Sequence, residues 1–472
     1  METSKEKYRK RSWFEDQNFS GKVFTTLFAL MLTFTAFGAL LLVAPVATEG
    51  AKEYEMHADE VIMEGWEMTG PMEYSGSTVT LIRAEGAKLR NFVQYYEGNE
   101  ISSPYGELEH LEMYCTYVKG TGETMGMLST LEWYGDEEPP FLLDLLPDPV
   151  VMTDVTIKIV YQKVESITFE GIDIASSGAP NLIDYTTTET LGDLVLNSFS
   201  IQAGPTDMSL AIDLADYPWA DPDDPAHLQQ AAIMELQGAL SGKRHLNQRD
   251  VTMKGVKMVI PYEYSGTTIE LMIAFDSVYL DASTIIFGPL TDSADFEKPT
   301  EGTEGELVEV KLPTLGSFQH GSVEWMFAQN VRLKGLRMDI PSDTQEYGLD
   351  TFQIKMGEMD ANWHNITYLG YSGNMGKHYM VVEGIGVKSD LTISLPGSEN
   401  EMIISADSQI VDKVHMLAFV VISDEALLSS QEITEKPHGL IIQGANMGGV
   451  TIILVHMHAE GVTLKNMIQE VR

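Results

Sequence analysis

The sequence predicts an all-β ectodomain of duplicated β-sheet modules, packed as a sandwich or a solenoid, behind one N-terminal transmembrane helix. Three observations lead to this prediction. One stretch with strand-like alternation occurs twice, an uncharged apolar run lies near the N-terminus, and one further segment has helical spacing. With 472 residues, the chain is long enough for one to three domains with a sizeable core.

The duplicated stretch covers residues 61–84 and 251–274, which align without a gap at an offset of 190 residues. Twelve of the 24 aligned positions are identical, more than two unrelated strands share by accident. The identical positions include Gly65, Met68, Pro71 and Tyr74 in the first copy and Gly255, Met258, Pro261 and Tyr264 in the second. We interpret these residues as structural positions of an internal repeat.

Each copy has the pattern of a strand, a turn and a second strand. Apolar residues alternate along the first strand, and the glycine inside it predicts a β-bulge or a close approach of another backbone. The proline is expected to end that strand because it cannot donate to the ladder, and Tyr-Ser-Gly is typical of a turn. Since an isolated hairpin is marginal in water, the copies are expected to pack on each other or on further strands.

Shorter versions of the motif begin at Ile167, Val331 and Val462, with uneven spacing between them. Uneven spacing argues against a solenoid of fixed period and favours a few large modules with insertions. Further strands are predicted over residues 155–161, 195–201, 307–312, 379–387 and 391–395. Sandwich, solenoid and open groove all share this alternation, so the sequence does not choose between them.

The N-terminal region predicts a membrane anchor. Residues 1–22 are polar and locally basic, and residues 23–48 contain no charged side chain. As a helix, the second segment is long enough to span about 30 Å of hydrocarbon. Because basic residues precede it and acidic residues follow it, residues 1–22 are expected to be a cytoplasmic tail and the remainder extracytoplasmic, as in a single-pass cell-membrane protein. A cleaved signal peptide is the alternative, although its apolar run would be shorter.

A short α-helix is predicted over residues 226–240, which combine good helix formers with apolar residues near helical spacing. The preceding Asp-Pro-Asp-Asp-Pro supplies capping residues and a proline for the first turn. We interpret residues 221–248 as a helical linker. It would separate a first β-module, residues 49–220, from a second β-module with further repeats, residues 249–472.

The composition is strongly acidic, with 70 Asp and Glu against 30 Lys and Arg. Nucleic acid is therefore not an expected partner, because phosphate binding needs clustered cations. We interpret the acidic residues as a solvated surface of the kind that suits a salty medium, and the alternative is divalent-cation binding at two acidic loops. These loops contain Asp136, Glu137, Glu138, Asp221, Asp223 and Asp224. The single cysteine, Cys115, excludes an intrachain disulfide and is expected to be half-buried in a strand.

No sequence motif of a nucleophile elbow, a zinc protease, a phosphate loop or a dinucleotide site is present, so neither enzymatic activity nor a cofactor is expected. His456 and His458 are weak metal candidates: on a strand they point to one face and could bind copper with a third group. The alternative places both histidines on the solvent side of a methionine-rich core. Asn365, in Asn-Ile-Thr, is a glycosylation candidate.

The anchor, the repeats, the acidity and the lack of catalytic motifs favour a structural or interaction role at the cell envelope. The expected partners are the membrane, through the N-terminal helix, and envelope proteins, further copies of the chain or lipids. The alternative is a β-groove that binds a lipid or another apolar ligand. The Ala-acidic-x-Val openings at Ala58 and Ala459, followed by alternating strands, resemble the repeats of envelope lipid-transport proteins, which implies such a groove. A groove requires a continuous apolar channel that is open to solvent.

Overall fold

The computed structural model is almost entirely β-structure, in agreement with the predicted class. It describes residues 53–124, 127–139, 147–179, 194–196, 198–241, 245–264, 266–288, 307–340, 351–372, 377–434 and 439–472. The predicted tail and transmembrane helix, residues 1–48, lie outside these ranges. In the part of the chain that is described, no helix is both long enough and apolar enough to cross a membrane.

The described strands form one antiparallel sheet of 17 strands. They are β1 (Tyr54–Glu64), β2 (Glu67–Tyr74), β3 (Ser77–Tyr96), β4 (Asn99–Thr124), β5 (Met127–Tyr134), β6 (Val150–Ala175), β7 (Leu194–Leu196), β8 (Phe199–Ala203), β9 (Thr206–Asp213), β10 (His245–Tyr264), β11 (Thr267–Phe287), β12 (Leu307–Lys311), β13 (Phe318–Asp339), β14 (Phe352–Ser372), β15 (Lys377–Pro396), β16 (Glu401–Thr434) and β17 (Gly439–Val471). Both copies of the repeat form a strand, a turn and a strand, β2 with β3 and β10 with β11.

The strand pairings close into three rings of four strands. In the first ring, β1 and β4 each pair with both β3 and β6. In the second ring, β10 and β13 each pair with both β8 and β11. In the third ring, β14 and β16 each pair with both β15 and β17. The described pairings thus group into three rings, and the division of the chain into two modules stays a prediction.

Long strands connect the rings. β6 pairs with β1 through residues 150–159 and with β17 through residues 161–175, so it belongs to the first ring and also borders the third. β13 pairs in the same way with β16, which joins the second ring to the third. Because backbone ladders cross both boundaries, the rings share one continuous sheet.

Paired bulges keep one face of the long strands apolar. The ladder between β1 and β3 skips Asp59 and Asn91, which stand opposite each other. Asn91 has a φ of +46°, and its Nδ2 donates a hydrogen bond to Oδ2 of Asp59 at 2.8 Å. Ala58 and Val61, on either side of the bulge, are both buried although they lie three residues apart. The extra residue shifts the alternation by one, so the apolar side chains stay in the core.

The same arrangement recurs across the sheet in two rows. In β13 the left-handed residues are Asn330 and Gly335, and in β17 they include Gly461 and Asn466, five positions apart in each strand. A polar residue on the neighbouring strand faces most of them. Between β1 and β2 the left-handed residue is Gly65, and those inside the described strands are Asn91, His110, Asp154, Asp250, Gly255, Asn330, Gly335, Gly386, Gly444, Gly449, Gly461 and Asn466.

An acidic residue commonly stands opposite the left-handed one. Asn330 donates through Nδ2 to Oδ2 of Asp281 at 2.6 Å, and Asn466 donates to Oδ2 of Asp407 at 2.8 Å. At Gly335, an added Cβ would overlap the carboxylate of Asp276, so the side chain of the neighbouring strand occupies that space. Part of the acidic composition is therefore placed at these bulges.

Two details of the strands differ from the sequence prediction. Residues 379–387 and 391–395, predicted as two strands, form the single strand β15, which continues through a register shift after Ser389. Pro71 and Pro261, expected to end strands, lie inside β2 and β10. Pro71 falls at a register shift of β2, and Pro261 falls between the ladders of β10 with β8 and with β7. At both places no neighbouring strand needs a hydrogen bond from a backbone N–H, which proline lacks.

The predicted helix is present as α1 (Pro225–Leu240). Asp224 is its N-cap and accepts a hydrogen bond from the backbone N–H of Ala226 at 2.9 Å, with Pro225 in the first turn. The helix lies between β9 and β10 in the chain, and these two strands pair with each other. It therefore belongs to the second ring.

Large aromatic side chains are buried in all three rings. In the first ring Tyr54, Phe92 and Phe169 are almost fully buried, and the rings of Phe92 and Phe169 lie 5.5 Å apart. The third ring contains three such side chains, Phe352, Tyr379 and Phe419. In the second ring Phe199 is almost fully buried, and Phe275 and Phe287 are buried as well.

A substitution at Gly255 tests the requirement for left-handed backbone. Gly255 has a φ of +56°, and no atom lies within 4 Å of the place that a Cβ would take, so Gly255→Val strains the backbone without a clash at Cβ. We expect the free energy of unfolding, measured by chemical denaturation, to fall by about 1–3 kcal/mol.

The matched control is Gly321→Val in β13. Gly321 also has open space around the Cβ position, but its φ is ordinary, so its stability should change by less than about 0.5 kcal/mol. Equal stability of the two variants would contradict the bulge explanation. Gly65→Val should lose at least as much stability as Gly255→Val, because its Cβ would also lie 2.7 Å from Cγ of Glu85.

Candidate functional site

An apolar cavity of about 360 Å³ lies inside the second ring. Its wall is formed mainly by inward-facing side chains of β10 and β11, with contributions from β8, β9 and β13. These side chains are inward because the strands alternate around their bulges and place every second residue on the same face. Representative wall residues are Met253, Met258, Phe275, Val278, Phe287 and Met326.

Helix α1 forms one side of this cavity. Leu236 and Leu240 line it, while Ala231, Ala232 and Ala239 are buried between the helix and the sheet. Alanine side chains allow a close approach of the helix but interlock little with the sheet. The helix thus covers one side of the ring and leaves part of its apolar interior unfilled.

The cavity reaches the surface beside the C-terminal end of α1. The segment from Leu315 to His320 lines it, and Gly316, Ser317 and Gln319 within that segment are exposed. Leu240 is itself 42% exposed. A solvent-facing entrance therefore lies between the end of the helix and the start of β13.

Few polar side chains enter the wall. Gln248 and Gln431 are both buried, and Oε1 of Gln248 accepts a hydrogen bond from Oγ of Ser283 at 2.8 Å. His320 lies near the entrance, with its ring 4.8 Å from that of Phe287. Among the described lining residues, His320 is the one with an ionisable side chain. This lining suits the binding of an apolar ligand. The described lining residues include no pair of side chains that could act as general acid and general base.

The repeat residues identified in the sequence lie in different environments. Met258 is buried and lines the cavity, whereas Met68 is half-buried against the core in β2. Tyr74 stacks on Tyr114 with 4.3 Å between ring centroids, and burial, together with nearby Tyr161, raises the pKa of Tyr74 well above its ordinary value. Tyr264 closes the β10 ladder opposite Thr267, and its side chain lies outside the described part.

The two candidate metal ligands meet at the boundary of the first and third rings. His458 lies opposite Asp173 of β6, and their Nδ1 and Oδ1 atoms are 3.0 Å apart; Nε2 of His456 is 3.7 Å from the same oxygen. Both histidines therefore share one face, as the spacing predicted. Among the described residues, no group of three His, Cys, Asp or Glu side chains is placed to hold a metal ion.

The other candidates lie apart from the cavity entrance. Asp221 accepts from the backbone N–H of Asp223 at 2.9 Å in the turn before α1. Cys115 is fully buried in β4, further than the half-buried position expected, and burial raises the pKa of its thiol. Asn365 lies in β14 and pairs with Glu383 on one side and Ile441 on the other; its side chain is outside the described part. Glycosylation stays a prediction.

A second depression, of about 710 Å³, lies on the outer face along one row of bulges. Arg332 lies over the ring of Tyr279 at 5.7 Å. Asn330 donates to Asp281, and Asn446 donates to Oδ1 of Asp360 at 2.8 Å. The polar groups of this depression therefore largely satisfy one another, which makes it a weaker candidate than the apolar cavity.

Comparisons with known proteins add no family. No family model matches the chain, and no curated protein does. Among solved structures, the Pseudomonas putida toluene transporter TodX covers 88% of this chain and 90% of its own at 7% identity, with a TM-score of 0.09. The CymD monoaromatic hydrocarbon channel has 8% identity over 88% and 89%, with a TM-score of 0.08. A Rhodopseudomonas blastica porin mutant has 10% identity over 85% and 98%, also at 0.08. Scores this low show no common fold.

Sequence reasoning missed the cavity and the two glutamines in its wall. Gln248 and Gln431 occupy positions where the alternation calls for an apolar side chain, which is the one local signal that was available. The role of α1 as a wall could not be read from its pattern, because a linker helix and a covering helix look alike. The bulges have a clearer signal in the sequence, because left-handed residues such as Asn330 and Gly335 recur five positions apart.

A pH dependence is predicted at the boundary of the first and third rings. The hydrogen bond with Asp173 raises the pKa of His458, against a smaller opposing effect of burial. Burial would raise the pKa of Asp173, but hydrogen bonds with His456 and His458 bring it below the ordinary value. The contribution of His458 to stability is therefore complete below about pH 6.5 and lost as pH rises through its raised pKa. The contribution of Asp173 is present above about pH 4 and lost as pH falls through its lowered pKa.

The test compares melting temperatures of the wild type and His458→Gln between pH 5 and pH 8.5. The wild type should lose stability across the upper half of this range, and the variant should show a weaker dependence because its side chain does not titrate. His110→Gln is the control, since His110 pairs with the exposed Glu165 elsewhere on the surface. Identical pH profiles for the wild type and His458→Gln would contradict the assignment.

Proposed function

We propose that the chain binds an apolar small molecule in the cavity of the second ring, beneath α1. The observation that carries this proposal is the cavity itself, about 360 Å³ of apolar interior with an entrance at the surface. Ligand pockets in proteins commonly have about 300–1,000 Å³ and a mainly apolar lining with few polar groups. The cavity falls within that range and has that composition.

Packing energetics support an occupant. Protein interiors are close-packed, and an unfilled apolar cavity lowers stability because its walls lose their contacts. A dry cavity of about 150 Å³ in another protein is large enough for benzene. The larger cavity of this chain suits a bigger ligand, such as a lipid chain or a compact polycyclic hydrocarbon, which would restore the missing contacts.

This function is compatible with a place at the cell envelope. The apolar run of residues 23–48 would hold the chain at a membrane, from which an apolar ligand could be drawn. We propose lipids as the natural ligand class for that reason. The entrance beside α1 would be the route, because Leu240 and the exposed segment after Leu315 form its rim.

Filling the cavity from the helix tests the proposal. In Leu236→Trp a larger side chain enters the cavity at its edge, where the half-buried helix tolerates change better than the sheet does. We expect the dissociation constant of the apolar fluorophore N-phenyl-1-naphthylamine to rise about tenfold or more. Fluorescence titration of the full-length chain in amphipol measures it, with the fluorescence in amphipol alone subtracted.

Leu228→Trp is the matched control. Leu228 is also half-buried on α1 and packs on the core, but it does not line the cavity. Its variant should bind the fluorophore within about twofold of the wild type. If the wild type does not bind the fluorophore, or if both tryptophan variants weaken binding equally, the cavity is not a binding site.

A structural or interaction role at the cell envelope is the second candidate. It is favoured by the ladders between β6 and β17 and between β13 and β16, which make the three rings one continuous sheet. Such a sheet presents an extended surface for envelope proteins or further copies of the chain. Sedimentation of the full-length chain in amphipol should then show a stable oligomer, and a monomer at all concentrations would count against self-association.

A further inference from the structure

The wall of the cavity contains a buried hydrogen-bond acceptor that is left unpaired. Gln431 of β16 lines the cavity and is 4% exposed. Its Oε1 atom has no hydrogen-bond partner among the described residues. Most buried polar atoms in proteins have a partner, so an orphaned acceptor that lines a cavity points to a group that is supplied from outside the chain.

The register shows where this acceptor lies in the sheet. Gln248 pairs with Ser283, Ser283 pairs with Ala328, and Ala328 pairs with Gln431, so the four residues form a row across β10, β11, β13 and β16. All four are buried. Directly paired residues of an antiparallel sheet point to the same face, so this row crosses the interior of the second ring.

The two ends of the row are not equivalent. Gln248 has its Oε1 occupied by the hydroxyl of Ser283, and its Nε2 donates to Sδ of Met208 at 3.8 Å. Gln431 has Ala328 as its neighbour, whose methyl group offers no donor. Gln431 itself lines the cavity, and its amide can rotate about the last side-chain bond, so Oε1 can turn toward a ligand there.

We infer that the cavity selects an apolar ligand with a single hydroxyl group, and that this hydroxyl donates its hydrogen bond to Oε1 of Gln431. This inference rests on the proposed binding function and narrows its ligand class to apolar alcohols. A hydrocarbon of the same shape would fill the cavity but leave the acceptor unpaired. Discrimination by one buried hydrogen bond is commonly about five- to 100-fold in affinity.

Three ligands of equal size separate the contributions. Nonane has no polar atom, heptyl methyl ether can only accept a hydrogen bond, and 1-octanol can also donate one. Their affinities are measured by displacement of N-phenyl-1-naphthylamine from the full-length chain in amphipol. The wild type is compared with Gln431→Met, because methionine has nearly the volume of glutamine but lacks its carbonyl oxygen.

We expect the ratio of octanol to ether affinity to fall about tenfold from the wild type to Gln431→Met, with the affinity of nonane changed by less than about twofold. The ratio removes differences in hydration, because each ligand is compared with itself in the two proteins. If Gln431→Met folds poorly, Gln431→Leu takes its place, and retained nonane binding shows an intact cavity.

The outcomes distinguish the inference about the hydroxyl group from the proposed binding function on which it rests. If nonane does not displace the fluorophore from the wild type, both are overturned. If nonane binds but the ratio of octanol to ether affinity is the same in wild type and variant, the cavity binds apolar ligands without reading a hydroxyl group, and only the inference falls. A lower ratio in the variant supports both.

Discussion

The fold depends on residues with left-handed backbone placed inside long strands. Regular strands in globular proteins are usually 3–10 residues long, because a strand coils with its twist and its alternation then drifts away from a fixed core. β16 and β17 have 34 and 33 residues. A bulge every few residues resets the alternation, and it favours Gly, Asn or Asp at one position, with a compatible partner opposite. In the pairs of Asn91 with Asp59 and Asn330 with Asp281, the asparagine is the left-handed residue and the aspartate is its partner.

Two properties follow from this constraint. Bent strands can belong to one ring and border the next, which is how β6 and β13 make a single sheet out of three rings. The bulges also place acidic side chains on the outer face opposite left-handed residues, as Asp276 lies opposite Gly335. The acidity of the chain, which looks from composition like an adaptation of the solvated surface, therefore has a partly local cause in the backbone geometry.

The sequence predicted the strands, the duplicated hairpin and the capped helix, because these depend on local alternation, turn residues and Asp224 before Pro225. It did not predict the lengths of the strands, because the polar residues at a bulge, such as Gly386 to Asp390 in β15, look like a loop. Nor did it predict the cavity. The placement of Gln248 and Gln431 in one row depends on register across four strands, which no local pattern contains.

The cavity lies where the second ring departs from the other two. The first and third rings consist of strands of 11 or more residues, whereas the second ring contains the five-residue strand β8 and is completed by a helix with alanine on its buried face. A packing defect of accidental origin would be expected to have a uniformly apolar wall, since an unpaired polar group in it adds a second loss of stability. Gln431 lies in this wall with its acceptor open. The combination of missing volume and an unmet hydrogen bond is more readily explained by a ligand that supplies both than by loose packing.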